Sequence, residues 1–311
     1  MKSMLRTILL GTLPVLMVAC ATQTTPVVPE VKATEAVAPQ YFLNASEYKL
    51  LLNPEMFTDY VSGFENYWKI INEVALAEGI AIVAEENPMK LKHKDVKFYD
   101  TPNLDLRKQG FVFRERIKYK GAEKKTGYDY VLKHTHLDPV IASSVDLTLA
   151  EGFVPKSPEI ELESDLVYYS AANGSTQTSY TISNAFIQDV QPKMTYGTIQ
   201  SIYPALSLLE LTDETELVLV NGMYIDEWKV GPGKLDCGDG LYGDIDITIW
   251  LVETSEGTVA IPEFSFDHEY LKDREYADNA MARCTSFITK LNDYKPEWSV
   301  AGNQKSAFLF K

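Results

Sequence analysis

The sequence predicts an α+β fold, a large antiparallel sheet or barrel of about eight or nine strands with flanking helices. Two observations carry that prediction. A succession of short stretches rich in β-formers, separated by turn residues, fills the interval between two amphipathic helical segments. Aromatic residues are abundant, with 18 Tyr and 13 Phe, and these side chains suit a pleated, half-buried surface. At 311 residues, 45% hydrophobic and 23% charged, the chain is long enough to bury a sizeable core and is not a disordered polymer.

Taken in order, the chain opens with Lys2 and Arg6, followed by an apolar run over 7–18. That run is too short for a stable spanning helix and has the shape of a signal segment. It ends Leu16-Met17-Val18-Ala19-Cys20, and small residues before a cysteine at this distance resemble a bacterial lipobox. Residues 1–19 are therefore read as a lipoprotein signal peptide and Cys20 as the lipidated N-terminus; a plain secretory signal with a chance cysteine is the alternative. Ala21 stands where a retention Asp would have been. The expected location is the outer membrane, facing the periplasm, with the membrane held through the lipid anchor. Residues 20–40 are dominated by Thr, Pro, Val and Ala, with no aromatic residue, and read as a tether. The remainder, 41–311, contains no second linker and no internal repeat and is read as one domain.

Within that domain a strand at 48–52 precedes Asn53-Pro54-Glu55, a helix start with an Asn cap and a first-turn Pro. Phe57, Tyr60, Val61, Phe64, Trp68, Ile71, Val74 and Ala75 then recur at helical spacing up to a stop at Gly79. Strand texture follows at 94–99, 110–120, 128–136, 157–163, 179–186, 216–224, 244–252 and 259–266. A second helix is predicted over 272–293, with Ala277, Ala280, Met281, Cys284, Phe287, Ile288 and Leu291 on its apolar stripe. Cys237 and Cys284 either form one disulfide or remain two buried thiols.

The net charge is -15, from 44 Asp+Glu against 29 Lys+Arg, so a general nucleic-acid-coating role is excluded and no nucleic-acid partner is expected. The charge is unevenly spread. Residues 90–136 hold 13 Lys+Arg and 6 Asp+Glu, whereas 194–271 contain only Lys229 and Lys234 against 15 Asp+Glu. One basic stretch inside an acidic protein points to an anionic ligand. Alternation over 113–120 puts Arg114, Arg116, Lys118 and Lys120 on one face and Phe113, Glu115, Ile117 and Tyr119 on the other. The basic face is either solvated or an inward row that clamps a polyanion, a task suited to the rigid donor fork of Arg. Glu159, Glu161 and Glu163 likewise share one strand face, which needs water, cations or a hard divalent metal.

Residues 97–116, KFYDTPNLDLRKQGFVFRER, combine a strand ending Tyr-Asp-Thr-Pro, a Leu-rich segment, a Gly and a Phe-x-Arg-x-Arg strand. This combination resembles the CYTH or triphosphate tunnel metalloenzyme family. The strand 128–133 is similar to that family's strand with a terminal phosphate-binding Lys, and 159–163 to its following acidic strand. Ala45-Ser46-Glu47-Tyr48-Lys49 sits where the family has Glu-x-Glu-x-Lys, and Pro262-Glu263-Phe264-Ser265-Phe266 resembles a late strand with another acidic ligand. The match is dense over 97–133 and thin elsewhere.

The resemblance implies an antiparallel tunnel with inward Arg and Lys for a triphosphate and inward Glu for a divalent metal. It assigns phosphate to Lys49, Arg114, Arg116, Lys118 and Lys133. It assigns Mg²⁺ or Mn²⁺ to Glu47, Glu161, Glu163 and Glu263. The implied ligand is inorganic triphosphate or polyphosphate, and the implied reaction, if turnover is retained, is metal-dependent hydrolysis. Ala45 in place of the first Glu and the cation-poor 194–271 stretch depart from the pattern. They leave open a non-catalytic phosphate binder or a structural envelope protein that uses the scaffold for contacts.

Two further clusters read more simply. His134 and His136 share a strand face without an evident third metal ligand. The Asp- and Gly-rich 236–246 segment lacks EF-hand spacing and reads as a turn into a strand.

Overall fold

The computed structural model describes residues 41–157, 160–168, 176–272, 274–302 and 305–310. The signal, Cys20, the tether and Glu159 lie outside the described residues.

Nine strands, numbered in chain order, close into a barrel. They are β1 (Ala45–Leu51), β2 (Lys92–Asp100), β3 (Phe111–Lys120), β4 (Tyr128–His136), β5 (Glu161–Tyr168), β6 (Thr176–Gln188), β7 (Tyr224–Asp236), β8 (Tyr242–Thr254) and β9 (Gly257–Glu269). Their order around the barrel is β7-β8-β9-β1-β5-β6-β4-β3-β2, and β2 pairs back to β7 to complete the circuit. Eight of the nine pairings are antiparallel; β1 and β5 run parallel. Three short strands, Ala81–Ala84, Glu123–Lys124 and Val218–Leu219, attach to this circuit. The closed, mainly antiparallel tunnel is the fold class expected from the sequence.

Strand alternation sends most of the charged side chains of the barrel inward, with Phe98, Val112 and Trp250 among them, and most apolar ones outward. On β9, Glu263, Ser265 and Asp267 line the interior, while Phe264 and Phe266 belong to an outer hydrophobic core. A charged interior therefore requires a cover on the outside. Helix α1 (Tyr60–Ala77) and helix α2 (Asp278–Tyr294) supply it on one side, burying Phe64, Tyr67, Ile71, Phe287 and Ile288 against that surface. Each such side chain contributes roughly 1.5–3 kcal/mol of apolar burial. A second core covers β3, β4 and β6 through Phe113, Tyr130, Phe186, Tyr196 and Tyr203.

Several predicted boundaries move. The first helical segment divides in two: Asn53 caps a single 3₁₀ turn, Pro54–Phe57, and Asp59 then accepts from the Val61 N–H to start α1. Gly79, at φ +66, ends it as expected. The acidic strand runs over Glu161–Tyr168 rather than 157–163. The strand expected at 216–224 is two residues, Val218–Leu219, and the long strand β7 begins where that prediction ended. A register shift between Val230 and Gly233 carries Gly231-Pro232-Gly233 through β7 as a bulge, which masked its alternation. Helix α2 starts at Asp278, not 272; the Asp239 carboxylate accepts from the Ala277 N–H just ahead of it. Cys237, in the β7–β8 turn, and Cys284 of α2 form a disulfide.

Candidate functional site

The barrel encloses a cavity of about 330 Å³. Glu47 and Lys49 reach it from β1, Lys94 from β2, Arg114 and Arg116 from β3, and Lys133 from β4. Glu163 and Asp165 enter from β5, Glu227 and Lys229 from β7, Asp246 from β8, and Glu263 and Asp267 from β9. Because β2, β3 and β4 are neighbours, their cations form one wall; because β7, β8, β9, β1 and β5 are neighbours, most carboxylates form the other.

The carboxylates organise around Lys49. Its ammonium lies 2.8 Å from Glu47 and in contact with Asp165. Burial alone would raise the Glu47 carboxyl, but Lys49 beside it, with Lys133 and Lys305 farther off, holds it at about 2. Burial would lower Lys49, yet Asp165, Glu47 and Glu263 push it well above the ordinary lysine value. Thr181 donates to Asp165 at 2.7 Å and fixes that carboxylate. Oxygens of Glu47, Glu163 and Asp165 lie within 4.8 Å of one another. This all-oxygen donor set fits a hard divalent cation of the Mg²⁺, Mn²⁺ or Ca²⁺ kind.

The cations divide into two groups. Lys49, Lys94 (3.1 Å from Glu227), Lys133 (3.4 Å from Glu163), Lys229 (in contact with Asp246) and Lys305 (3.1 Å from Glu263) are all paired. Arg107, Arg114 and Arg116 also line the cavity and make no ion pair among the described residues. The Arg114 Nε is buried without a hydrogen-bond partner, and its guanidinium lies 6.0 Å from the Phe98 ring centre.

Two further carboxyls are displaced from the ordinary range. Burial would raise Glu227, but Lys94, Lys305 and Arg116 hold it at about 2, and Trp250 donates to it at 2.8 Å. Asp267 goes the other way, pushed up to about 7 by burial and then by Glu47, Asp246 and Asp244.

Of the residues expected to bind phosphate, Lys49, Arg114, Arg116 and Lys133 meet in this cavity. Lys118 does not. It lies farther along β3, in a second, adjoining cavity, 3.9 Å from Asp129. Of the expected metal ligands, Glu47 and Glu163 converge. Glu161 lines an adjoining cavity with Lys156, two residues short of the cluster, where burial and then Glu163 raise its carboxyl. Glu263 lies in the main cavity but is engaged by Lys305 through both its side chain and its backbone N–H.

Asp165, Arg107 and Lys305 were missed. Asp165 continues the Glu161–Glu163 alternation by one more step, a signal that was available. Arg107 is placed by the Tyr-Asp-Thr-Pro motif: the Asp100 carboxylate accepts from the N–H groups of Thr101, Leu106 and Arg107 at 2.7–2.9 Å and shapes the short helix Asp105–Lys108. Lys305 precedes no strand, and nothing local marks it. His134 and His136 form no metal cluster with a third ligand among the described residues.

A closed nine-stranded tunnel, cationic on one inner wall and carboxylate-rich on the other, is the CYTH-like tunnel fold expected from the sequence. No family model and no curated protein matches the chain. Among solved structures it is similar to a candidate adenylyl cyclase of Hippeastrum, described as revealing a dominant triphosphatase activity. That match has 13% identity and a TM-score of 0.43, and covers 86% of this chain and 95% of the other. It is also similar to a candidate adenylate cyclase of Bacillus halodurans, at 11% identity and a TM-score of 0.38, covering 86% and 100% of the two chains. A protein of Pyrococcus horikoshii matches at 13% identity and a TM-score of 0.34, covering 85% and 98%.

Proposed function

We propose that the tunnel binds inorganic triphosphate or the end of a polyphosphate chain together with a divalent cation, and hydrolyses it slowly. The single observation that carries this reading is the contrast among the inner cations. Five lysines are paired directly with carboxylates, whereas Arg107, Arg114 and Arg116 face the cavity with no direct ion pair among the described residues, Arg116 acting on Glu227 only at longer range. Unpaired guanidinium groups in a confined space favour a multiply charged anion, and their planar donor forks match phosphate oxygens.

Arg114 and Arg116 would bind non-bridging oxygens from one wall. Lys133 and Lys49 would exchange part of their carboxylate pairing for phosphate. Glu47, Glu163 and Asp165 would hold the cation; Mg²⁺ and Mn²⁺ are the ions of that chemistry with which to test it. Charge neutralisation and orientation of the terminal phosphate are what such a cation contributes to phosphoryl transfer when bound. The chain's own part is to position: Glu47 stays ionised at neutral pH, and Thr181 holds Asp165 in register.

A binder without turnover is the second reading, and Ala45 favours it. Ala45 lines the cavity directly across from Glu163, where a carboxylate would complete the acidic cluster. Phosphate release from triphosphate, measured with EDTA, Mg²⁺ and Mn²⁺ and with Glu163→Gln, separates the two. Metal-dependent release that Glu163→Gln abolishes supports the hydrolase. Tight binding with no release supports the binder. Absence of both overturns the phosphate reading and leaves a scaffold used for envelope contacts.

The location follows from sequence alone. We propose that residues 1–19 are removed, that Cys20 carries lipid, and that 20–40 tethers a single 41–311 domain to the outer membrane on its periplasmic side.

A further inference from the structure

A second, larger cavity of about 620 Å³, here called the vestibule, adjoins the inner one. Lys94, Arg116 and Lys229 line both this vestibule and the inner cavity, so the two share a wall. Beyond them stand Lys118 and Lys156, which share one carboxylate, Asp129, at 3.9 and 2.7 Å. The outer rim is formed by Lys90, Lys92, Lys120 and Lys125, all exposed and without an ion pair among the described residues. Most of these cations come from two strands. Inward positions of β2 and β3 meet across the pair Lys94↔Lys118, and the two strands carry the row outward together.

This is a concentration of like charge that the fold neutralises only in part: Lys94, Lys118, Lys156 and Lys229 are paired, whereas Lys90, Lys92, Arg116, Lys120 and Lys125 make no ion pair among the described residues. Lys118 is pushed below the ordinary lysine value by burial and then by Lys156. Lys94 is lowered by burial, and Arg116 and Lys229 add to that despite Glu227. An anion arriving here would relieve repulsion among these cations. Elsewhere the protein is strongly acidic, with a net charge of -15, so a long anion is steered to the vestibule and away from other surfaces.

We propose that the vestibule is a second phosphate-binding site that holds the body of a linear polyphosphate while its terminal units occupy the tunnel. This inference rests on the tunnel reading above and extends it to chain length. An inner cavity that shares the cations Lys94, Arg116 and Lys229 with a larger basic one suits an extended chain, which would contact both at once. A chain that spans both gains effective concentration at the second site, so affinity rises with length.

The test compares triphosphate with long-chain polyphosphate in direct binding to the full chain, in wild type and in Lys90→Ala/Lys92→Ala/Lys120→Ala/Lys125→Ala. A charge-matched control carries Lys69→Ala/Lys193→Ala/Arg283→Ala/Lys290→Ala, four exposed cations outside the vestibule. In wild type, long polyphosphate is expected to bind at least about tenfold tighter than triphosphate and with a steeper salt dependence. The rim variant is expected to lose that length advantage and keep triphosphate affinity, while the control keeps both. Comparing variants at equal chain length removes the statistical benefit of a long ligand. A length advantage that survives in the rim variant overturns the vestibule and leaves the tunnel reading intact. Loss of triphosphate binding in wild type, with length-dependent polyphosphate binding still destroyed in the rim variant, overturns the tunnel reading and leaves the vestibule. Equal binding of a single-stranded oligonucleotide overturns the assignment to polyphosphate.

Discussion

Arg114 and Arg116 were legible in the sequence because a strand's period of two puts both on one face, and the closed barrel makes that face an interior. The same rule put Glu163 on one face with Glu161; Glu47, Lys49 and Lys133 were expected only from the family resemblance, and they line the same cavity. The rule failed for Lys118, since a face that points inward at mid-strand leaves the inner cavity toward the strand's end. Arg107 and Lys305 were invisible because short helical turns, not strand alternation, deliver them. Two predictions belong at this scale. Ala45→Glu adds a carboxylate beside Glu163 and is expected to tighten Mn²⁺ binding on the order of tenfold, measured by calorimetry. Unchanged or weaker binding would show that Lys49 already satisfies the cluster. The second concerns Asp267, whose free value of 3.8 is raised to about 7 by burial and by Glu47, Asp246 and Asp244. Between those values the folded chain holds a proton that the unfolded chain has lost. Stability therefore falls as pH rises through this window. Asp267→Asn, which stays neutral, should flatten thermal melting between about pH 4 and about pH 7 in EDTA. Parallel pH profiles for the two proteins would refute that origin.

At the scale of elements, the strands with clean alternation were placed within a residue or two, as at Tyr128–His136. β7 was not, because Gly231-Pro232-Gly233 interrupts its period and Pro cannot donate to a ladder; only the closure of the barrel, with β2 on one side and β8 on the other, makes it a strand. Cys284 was correctly placed on the buried stripe of α2, but its partner is a tertiary fact: Cys237 lies 47 residues earlier and reaches it through the β7–β8 turn. The bond pins α2 over the barrel's outer core. Replacing both cysteines by Ala is expected to lower stability by about 2–4 kcal/mol in urea denaturation. A midpoint that does not move would mean that the helix is held by its apolar face alone.

The described domain is a tunnel that encloses one cluster of its charges, while apolar side chains on the outside of the barrel form cores that helices cover. The sequence showed both charged faces but left open whether they were solvated, because alternation defines two faces and does not say which encloses space. Barrel closure decides that question. The anchor, by contrast, is read from the first twenty residues only. Cys20→Ser is expected to move the protein from the membrane pellet to the soluble envelope fraction; retention in the pellet after a salt wash would end the lipoprotein reading.

The central claim is that the unpaired arginines of β3 form an anion site inside the tunnel. It is tested most directly by calorimetric titration of triphosphate with Mg²⁺ into wild type and Arg114→Ala/Arg116→Ala. Each charge-assisted phosphate contact is worth roughly 1.5–3 kcal/mol, so wild type should bind at one site and the double variant should lose at least about a hundredfold in affinity. No heat with wild type, or the same affinity in the double variant, would contradict it.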